Sequence, residues 1–438
     1  MWRLLVPGLK VKRYLAIAAV GFMALGAAFG VSPLVFPHIV PIRYRLGWEL
    51  ALASAGLLLV GGGTLGLLTS MSEVLGTEKW AGLLYSRRQL ARGPRVVALG
   101  GGTGLPGVLR GLKLYTSNLT AIVTVADDGG SSGRLRGDLN MLPPGDIRNC
   151  LVALADTEPL MEQLFQHRFP SGELAGHSFG NLFLAAMEQT TGDFVTALRE
   201  SSRVLAVRGT VLPATLDHVT LHAQLADGRL VAGESTIGKS LVPIERLWME
   251  PPDATPLAEA ILAIENADLI VLGPGSLFTS LLPNLLIRPI GEAIRRSRAV
   301  RVYVSNIMTQ PGETTRFTVQ DHLRVLEGHV GSGLVDVVLV NNGTVPTPQL
   351  VRYRDEGAEP VLVDPASPIK ATVVGEDVLT ASAVLRHDPA KLARALLRVM
   401  VQYRPKWAEG RIIDALWLEA RLRERGRGPL WAGPTRGK

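Results

Sequence analysis

Between Arg95 and Asn149 three turns rich in glycine and aspartate follow one another, and each of the first two closes a short apolar run. Val96-Val97-Ala98-Leu99 empties into Gly100-Gly101-Gly102-Thr103-Gly104, and Leu105 to Leu114 then has the composition of a helix. Leu119 to Val125 leads into Asp127-Asp128-Gly129-Gly130-Ser131-Ser132-Gly133-Arg134. Pro143-Pro144-Gly145-Asp146-Ile147-Arg148-Asn149 makes the third turn. Few folds accept such a pattern. A strand that breaks on glycines and opens a helix brings main-chain amides and the positive end of a helix to one point, which suits a phosphate. Acidic residues ending the next strand hold a ribose or a metal ion in Rossmann-like folds. The expectation is a nucleotide site on Gly101, Gly102, Thr103, Gly104, Asp127, Asp128, Gly129, Gly130 and Ser131. An oxidoreductase using NAD is disfavoured, because the spacing after Gly104 departs from Gly-x-Gly-x-x-Gly.

The N-terminal part has a different character. Tyr14 to Phe36 carries no formal charge, and Leu46 to Leu68 is interrupted only by Glu49. Each is long enough to cross a bilayer as a helix. Arg3, Lys10, Lys12 and Arg13 precede the first segment, and Lys79, Arg87, Arg88, Arg92 and Arg95 follow the second. That bias predicts a two-helix transmembrane hairpin over residues 1–71, multi-pass in the cell membrane, with the main domain cytoplasmic. A buried soluble hairpin is the alternative on length. Gly61-Gly62-Gly63-Thr64-Leu65-Gly66 lies inside the second segment and reads as a close-packing face between the helices rather than a ligand turn. A basic linker, 72–94, is expected on anionic membrane lipid. Residues 95–403 then form the main domain and 404–438 a basic tail, with a terminal helix and a frayed end against lipid.

Hydrophobic residues make up 47% of the 438 and aromatics only 5%, a balance that fits an aliphatic α/β protein with a lipid-facing part. Cys150 is the only cysteine, which excludes an internal disulfide and a cysteine metal cluster, and it reads as a packing residue. The net charge of +7 is modest and concentrated beside the apolar segments and in the tail, so no nucleic-acid partner is expected.

Alternating apolar and amphipathic stretches predict a Rossmann-like α/β fold with a mostly parallel sheet flanked by helices. Helices are expected at Ile147 to Asp156, Pro159 to Arg168, from Asn181, and at Pro389 to Val401. Strands are expected at Asp268 to Leu272, Val300 to Val304 and Val335 to Val340. Val204 to Leu212, Val219 to Leu225 and Leu230-Val231 look like a small antiparallel insertion turning at Asp227-Gly228. Gly273-Pro274-Gly275-Ser276 repeats the strand-to-helix pattern, and with Asn306 to Thr315 it should face the first turns across the ligand crevice. Two readings of Asp127 and Asp128 stay open: Mg²⁺ bridging phosphates, or ribose binding and turn capping. Asp146 reads as a helix N-cap, and Arg148 as a phosphate partner or as the residue that fixes Asp127 or Asp128. His177-Ser178 invites a base-and-nucleophile reading but lacks a nucleophile elbow. His218, His222, His322 and His329 show no metal-ligand spacing.

With those residues on the page, the chain resembles the YvcK-like gluconeogenesis factors within the CofD-like (2-phospho-L-lactate transferase) group. The resemblance runs from Arg95 to Val401. It rests on the glycine turn at 100–104, the turns at 127–134 and 143–149, His-Ser-Phe-Gly-Asn at 177–181, Gly-Pro-Gly-Ser-Leu at 273–277 and Met-Thr-Gln-Pro-Gly-Glu-Thr at 308–314. It implies a UDP-sugar ligand, UDP-N-acetylglucosamine, and a regulatory part in cell shape and envelope synthesis on gluconeogenic carbon sources. Arg148, Asn149, Asn181, Gly275, Ser276 and Phe278 join the ligand contacts on this basis. A homo-oligomer and envelope-synthesis protein partners are implied as well, but no established reaction. The CofD-like relation also leaves a Mg²⁺-dependent phosphoryl or nucleotidyl transferase as the alternative. Phe278 stands where the family commonly has tyrosine, so a ring stacked on uracil would lack its hydroxyl.

Overall fold

The computed structural model describes residues 11–28, 42–75, 88–156, 159–380, 384–404, 407 and 411–424. The chain divides into two compact units, Met1–Arg88 and Gln89–Lys438.

The first unit is a helix pair, α1 (Val11–Gly26) and α2 (Ile42–Leu75). Glycine lets the two backbones touch. A Cβ on Gly21 would stand 2.7 Å from the Val60 nitrogen, and one on Gly63 would stand 2.7 Å from the Ala18 nitrogen. Gly66 packs on the Tyr14 ring, and the falling numbers on α1 against rising ones on α2 make the pair antiparallel. The packing role expected for the glycine run thus belongs to Gly63 and Gly66, whereas Gly61 and Gly62 face open space. Of the two membrane spans expected, the described residues show one candidate. Among the described residues only Glu49–Gly66, 18 residues with mean hydropathy 1.4, is a helical segment long and apolar enough to cross a bilayer. The apolar part of α1, Arg13–Gly26, is shorter, and the rest of the expected first span lies outside the described residues, as does most of the linker.

The second unit is built on a seven-stranded sheet ordered β10-β9-β8-β7-β1-β2-β3. Its strands are β1 (Val96–Gly100), β2 (Leu119–Val123), β3 (Thr210–Pro213), β7 (Leu269–Leu272), β8 (Val300–Val304), β9 (Val337–Asn341) and β10 (Thr372–Glu376). Every pairing in it is parallel. A second sheet, β5-β4-β6, is antiparallel and consists of β4 (Thr220–Leu225), β5 (Leu230–Ala232) and β6 (Ile244–Glu250). The helices in order are α3 (Gly104–Leu112), α4 (Gly130–Leu139), α5 (Gly145–Leu154), α6 (Pro159–Gln166), α7 (Phe179–Thr191), α8 (Phe194–Val204), the short α9 (Glu234–Ile237) and α10 (Ala258–Glu265). A π turn at Leu277–Leu281 runs into α11 (Leu282–Leu286). Then come α12 (Arg288–Arg296), α13 (Val319–Val330), α14 (Thr347–Asp355), α15 (Pro389–Tyr403) and α16 (Ile412–Glu424).

The strands β1 and β7 are buried at every residue and form the middle of one continuous core. Helix α3 lies on β1 and β2 through Leu105, Val108, Leu109 and Leu112, an i, i+3, i+4, i+7 stripe. From β1 the chain moves one way to β2 and β3, then returns to add β7 on the other side of β1. That reversal makes the carboxyl ends of β1 and β7 the topological switch point, where open α/β sheets bind ligands.

Three details differ from the sequence reading. Val204 closes α8, and Thr210–Pro213 pairs parallel with β2 in the main sheet instead of joining the insertion. The third insertion strand is β6, and β10 closes the far edge with no buried residue. Finally, the tail helix α16 belongs to the second unit's core: Leu418 and Leu422 are buried, and Arg421 donates to the Leu114 carbonyl at 3.1 Å.

Candidate functional site

The turns after β1 and β7 pack directly on each other. A Cβ on Gly104 would collide with the Pro274 carbonyl, and one on Gly275 would lie 3.7 Å from the Gly101 carbonyl. Asn284 of α11, fully buried, donates to the Gly100 carbonyl at 3.2 Å and ties the two turns together. The loop after β8 joins them as expected. Gln310 donates to Ser276 at 2.8 Å, Asn306 accepts from the Gly275 amide at 3.4 Å, and Thr279 donates to Glu313 at 3.2 Å.

Around this seam four helix N-termini meet. Asp146, in the first turn of α5, accepts from the Gly102 amide at 2.6 Å and so reaches the start of α3. Ser132 in α4 crowds Gly145, where a Cβ would stand 2.5 Å from its hydroxyl. Asn181 in α7 donates to Ser131 of α4 at 3.0 Å and accepts from Arg148 of α5 at 3.1 Å. Each N-terminus brings unsatisfied amides and partial positive charge. The convergence offers an anion several donors at once.

Arg148 sits within that convergence and is 7% exposed. Its guanidinium donates to Ser178, to Asn181 and, at 2.8 Å, to Asn149, all neutral oxygens, while its buried Nε has no partner. Burial, with Arg168 nearby, pulls its pKa below the usual arginine range. Its hydrogen bonds all go to neutral oxygens, while Asp146 and Asp127 act on its charge without a direct bond, so Arg148 makes no direct grip on Asp127 or Asp128 and its Nε is left to face an anion.

The aspartate pair diverges. Asp127 accepts from the Gly129 amide at 2.9 Å and faces Gly145. Asp128 turns to the insertion, accepting from the Ser235 amide at 2.8 Å and pressing on Gly233, so it caps the short α9. In this arrangement Asp127 and Asp128 point to different partners rather than to one shared point. Among the described residues no group of three or more His, Cys, Asp or Glu side chains is arranged to hold a metal. Asp127 alone, together with phosphate oxygens from a ligand, remains a donor set that Mg²⁺ accepts.

Three further carboxyls gather here. Burial raises Asp146 to about 6, against the pull of the Gly102 amide. Glu234 on α9 is pushed to about 8 by burial and then by Asp127, Asp146, Asp128 and Glu313. Glu313 rises to about 7 through burial, and its Oε2 is buried without a partner. At neutral pH the site therefore stores protons. Sequence reading missed Glu234, which the insertion carries in from far along the chain. Glu313 was visible inside the 308–314 motif but had no role until its burial was known.

The other residues expected at the site take varied places. The Gly102 amide is already engaged by Asp146, so it is not open to a phosphate in this conformation. Gly101, Gly104, Gly129, Gly130 and Asn149 line the turns, and Thr103 is exposed at the tip. Phe278 is fully buried with its ring edge-on to His329 at 6.1 Å, so it cannot stack on a base here. His177 pairs with Ser131 at 3.1 Å, while Ser178 caps α7 and accepts from Arg148. Cys150 is fully buried.

Known proteins resemble this chain over much of its length. The family described as 2-phospho-L-lactate transferase CofD matches residues 96–379. A gluconeogenesis factor of Bacillus subtilis is 51% identical over 312 residues, covering 70% of this chain and 98% of its own. A relative from Clostridium acetobutylicum, given the same name provisionally, is 43% identical over 434 residues and covers 95% of this chain and 96% of its own. A crystal structure from Bacillus halodurans superimposes with a TM-score of 0.66 at 50% identity, covering 69% of this chain and 99% of that one.

Proposed function

The chain belongs to the CofD family, and from that premise we propose that it is a regulatory nucleotide-sugar-binding protein, a gluconeogenesis factor like its relatives. UDP-N-acetylglucosamine is the ligand we assign, and envelope synthesis on gluconeogenic carbon sources is the process it informs, acting from the membrane as a self-associating protein with envelope-synthesis partners. The observation that carries the reading is Arg148, a buried guanidinium held only by neutral oxygens where four helix N-termini converge. A diphosphate would give it the charge-assisted bonds that its neutral partners do not. Gly275, Ser276 and the remaining amides of the glycine turns complete its cradle, with the sugar toward Asp127. Calorimetry with UDP-N-acetylglucosamine tests this. Saturable binding that falls at least about tenfold in Arg148→Lys is expected, since an ammonium cannot reproduce the fork of bonds to Ser178, Asn181 and Asn149. Absence of binding at millimolar ligand rules the reading out.

A second reading, a Mg²⁺-dependent transferase of phosphorus-containing groups, is favoured by the carboxyls around Asp127. The ion would supply charge neutralisation between Asp127 and the ligand's phosphates. This chain's own part is to orient the diphosphate with Arg148 and to hold protons on Glu234 and Glu313. Mass spectrometry of nucleotide-sugars incubated with protein and Mg²⁺ separates the readings: turnover lost in Asp127→Asn marks an enzyme, and an unchanged ligand pool marks a binder.

A further inference from the structure

Away from the glycine turns, two adjoining clefts of about 430 and 540 Å³ open between β6 of the insertion and helices α11 and α12, sharing Pro252 and Leu286. Trp248, Met249, Pro252 and Leu286 give them an apolar wall. Arg246 lines one cleft, and Arg288 and Arg295 line the other, against Asp253 and Glu292. Arg246 and Arg288 are exposed, and no ion pair among the described residues engages either. Arg295 donates to the Val330 carbonyl and braces the end of α13. Both ring nitrogens of His329 are engaged: Nε2 accepts from the Leu247 amide at 3.0 Å, and Nδ1 pairs with the Val325 carbonyl at 2.8 Å.

The floor of these clefts is continuous with the nucleotide-sugar site. Leu285 and Leu286 belong to α11, whose Asn284 donates to the carbonyls of Gly100 and Ser280. Phe278, in the π turn just before α11, meets His329 of the cleft wall edge-on. One short helix therefore touches both places.

We propose that this cleft is a second binding site, for a small aromatic anion, and that its occupancy tunes ligand affinity at the glycine turns through α11. The aromatic body lies along Trp248, Met249 and Leu286, and the anionic head reaches Arg246 or Arg288. The space suits one metabolite-sized molecule. The binding half stands by itself; the coupling half rests on the nucleotide-sugar reading. Coupling between two sites is reciprocal in free energy and commonly amounts to about 5–150-fold in affinity.

Phenyl phosphate, a water-soluble ring with a dianionic head, is the probe. Titrated calorimetrically into the full-length protein, it is expected to bind saturably, about tenfold or more tighter than inorganic phosphate. The double variant Arg246→Glu/Arg288→Glu should lose at least about tenfold, and Trp248→Ala several-fold, while Arg148→Lys keeps phenyl phosphate binding. Saturating phenyl phosphate should shift UDP-N-acetylglucosamine affinity by about fivefold or more, with the same factor in the reverse titration. No saturable binding, or binding kept in the double variant and lost in Arg148→Lys, overturns the site. Unchanged UDP-sugar affinity under saturating probe overturns the coupling. A protein that takes phenyl phosphate but no UDP-sugar sinks the nucleotide-sugar reading and leaves the cleft standing.

Discussion

At the scale of single residues, the site is organised by carboxyls that cost more to ionise than usual. Asp146 reaches the Gly102 amide only because Gly101 has no side chain; a Cβ there would lie 2.5 Å from Asp146 Oδ2 and 2.7 Å from Thr124. Gly101→Ala must therefore push Asp146 off the turn or shift β1, an overpacking cost of about 1–3 kcal/mol. A lowered melting temperature together with weakened UDP-N-acetylglucosamine binding is expected; an unchanged thermal-shift curve would show that the turn has room the geometry denies. Glu234 carries the pH dependence. Its folded pKa of about 8 is raised from an ordinary 4.5, so the protonated form contributes stability at low pH that is lost as pH rises through about 8. Glu313 and Asp146, at about 7 and about 6, act in the same direction at lower pH. A diphosphate adds negative charge to this group, so its binding should take up protons and strengthen as pH falls from 8.5 toward 6. Glu234→Gln should flatten that slope and raise the melting temperature most at pH 8–9. Calorimetry in two buffers of different ionisation enthalpy reads the proton uptake directly, and none at pH 7.5 would refute the linkage.

Among the elements, the π turn and α11 do several jobs at once, packing the core, closing the glycine seam and flooring the second cleft. Phe278 is their anchor. Phe278→Ala should cost about 3–5 kcal/mol, the range for emptying a buried aromatic site, and should loosen the Gly275 turn as well. Chemical denaturation measures the first effect and ligand titration the second. A ligand-contacting role without a core role would instead lose affinity at unchanged stability. How much of this was readable in sequence follows from burial. Strands β1, β7 and β8 were legible because central parallel strands are near-continuous runs of aliphatic residues that end on glycine or polar turns. β10 was not, because an edge strand with an exposed Val373 and a Gly375 carries no such run. α4 was hidden by its sequence. Gly-Ser-Ser-Gly has poor helix propensity, and contacts to Gly145, Asn181 and His177 hold it instead. The three glycine turns and Arg148 were legible by motif, but which carboxylate engaged which amide was not. That pairing depends on the insertion folding back to put Gly233 and Ser235 on Asp128, a contact more than a hundred residues away in the chain.

For the whole molecule, the question is what the first unit adds. The relative from Bacillus subtilis covers 70% of this chain, whereas the one from Clostridium acetobutylicum covers 95%, so relatives differ in how much of this chain they share. The crystal structure from Bacillus halodurans matches 69% of this chain over 99% of its own length, so a fold of this kind forms in a chain well short of the full length here. The chain from Gln89 onward should accordingly fold and bind UDP-N-acetylglucosamine as tightly as the full chain, within about twofold. Attachment to a membrane is the contribution we propose for the first unit. Glu49–Gly66 at about 1.5 Å per residue is close to the roughly 30 Å apolar thickness of a bilayer, and little of its surface is covered by α1. Basic residues at 87–95 follow α2, as expected for a segment held on the cytoplasmic face. After lysis, the full chain should sediment with membranes and stay there through alkaline carbonate, while the chain from Gln89 remains in the supernatant. Replacing Leu57 and Leu58, both largely exposed on α2, with arginines should release the full chain, because each charge at mid-span costs about 2.5–3.5 kcal/mol. Carbonate extraction of the unaltered chain would mean that α1 and α2 lie against lipid without crossing it.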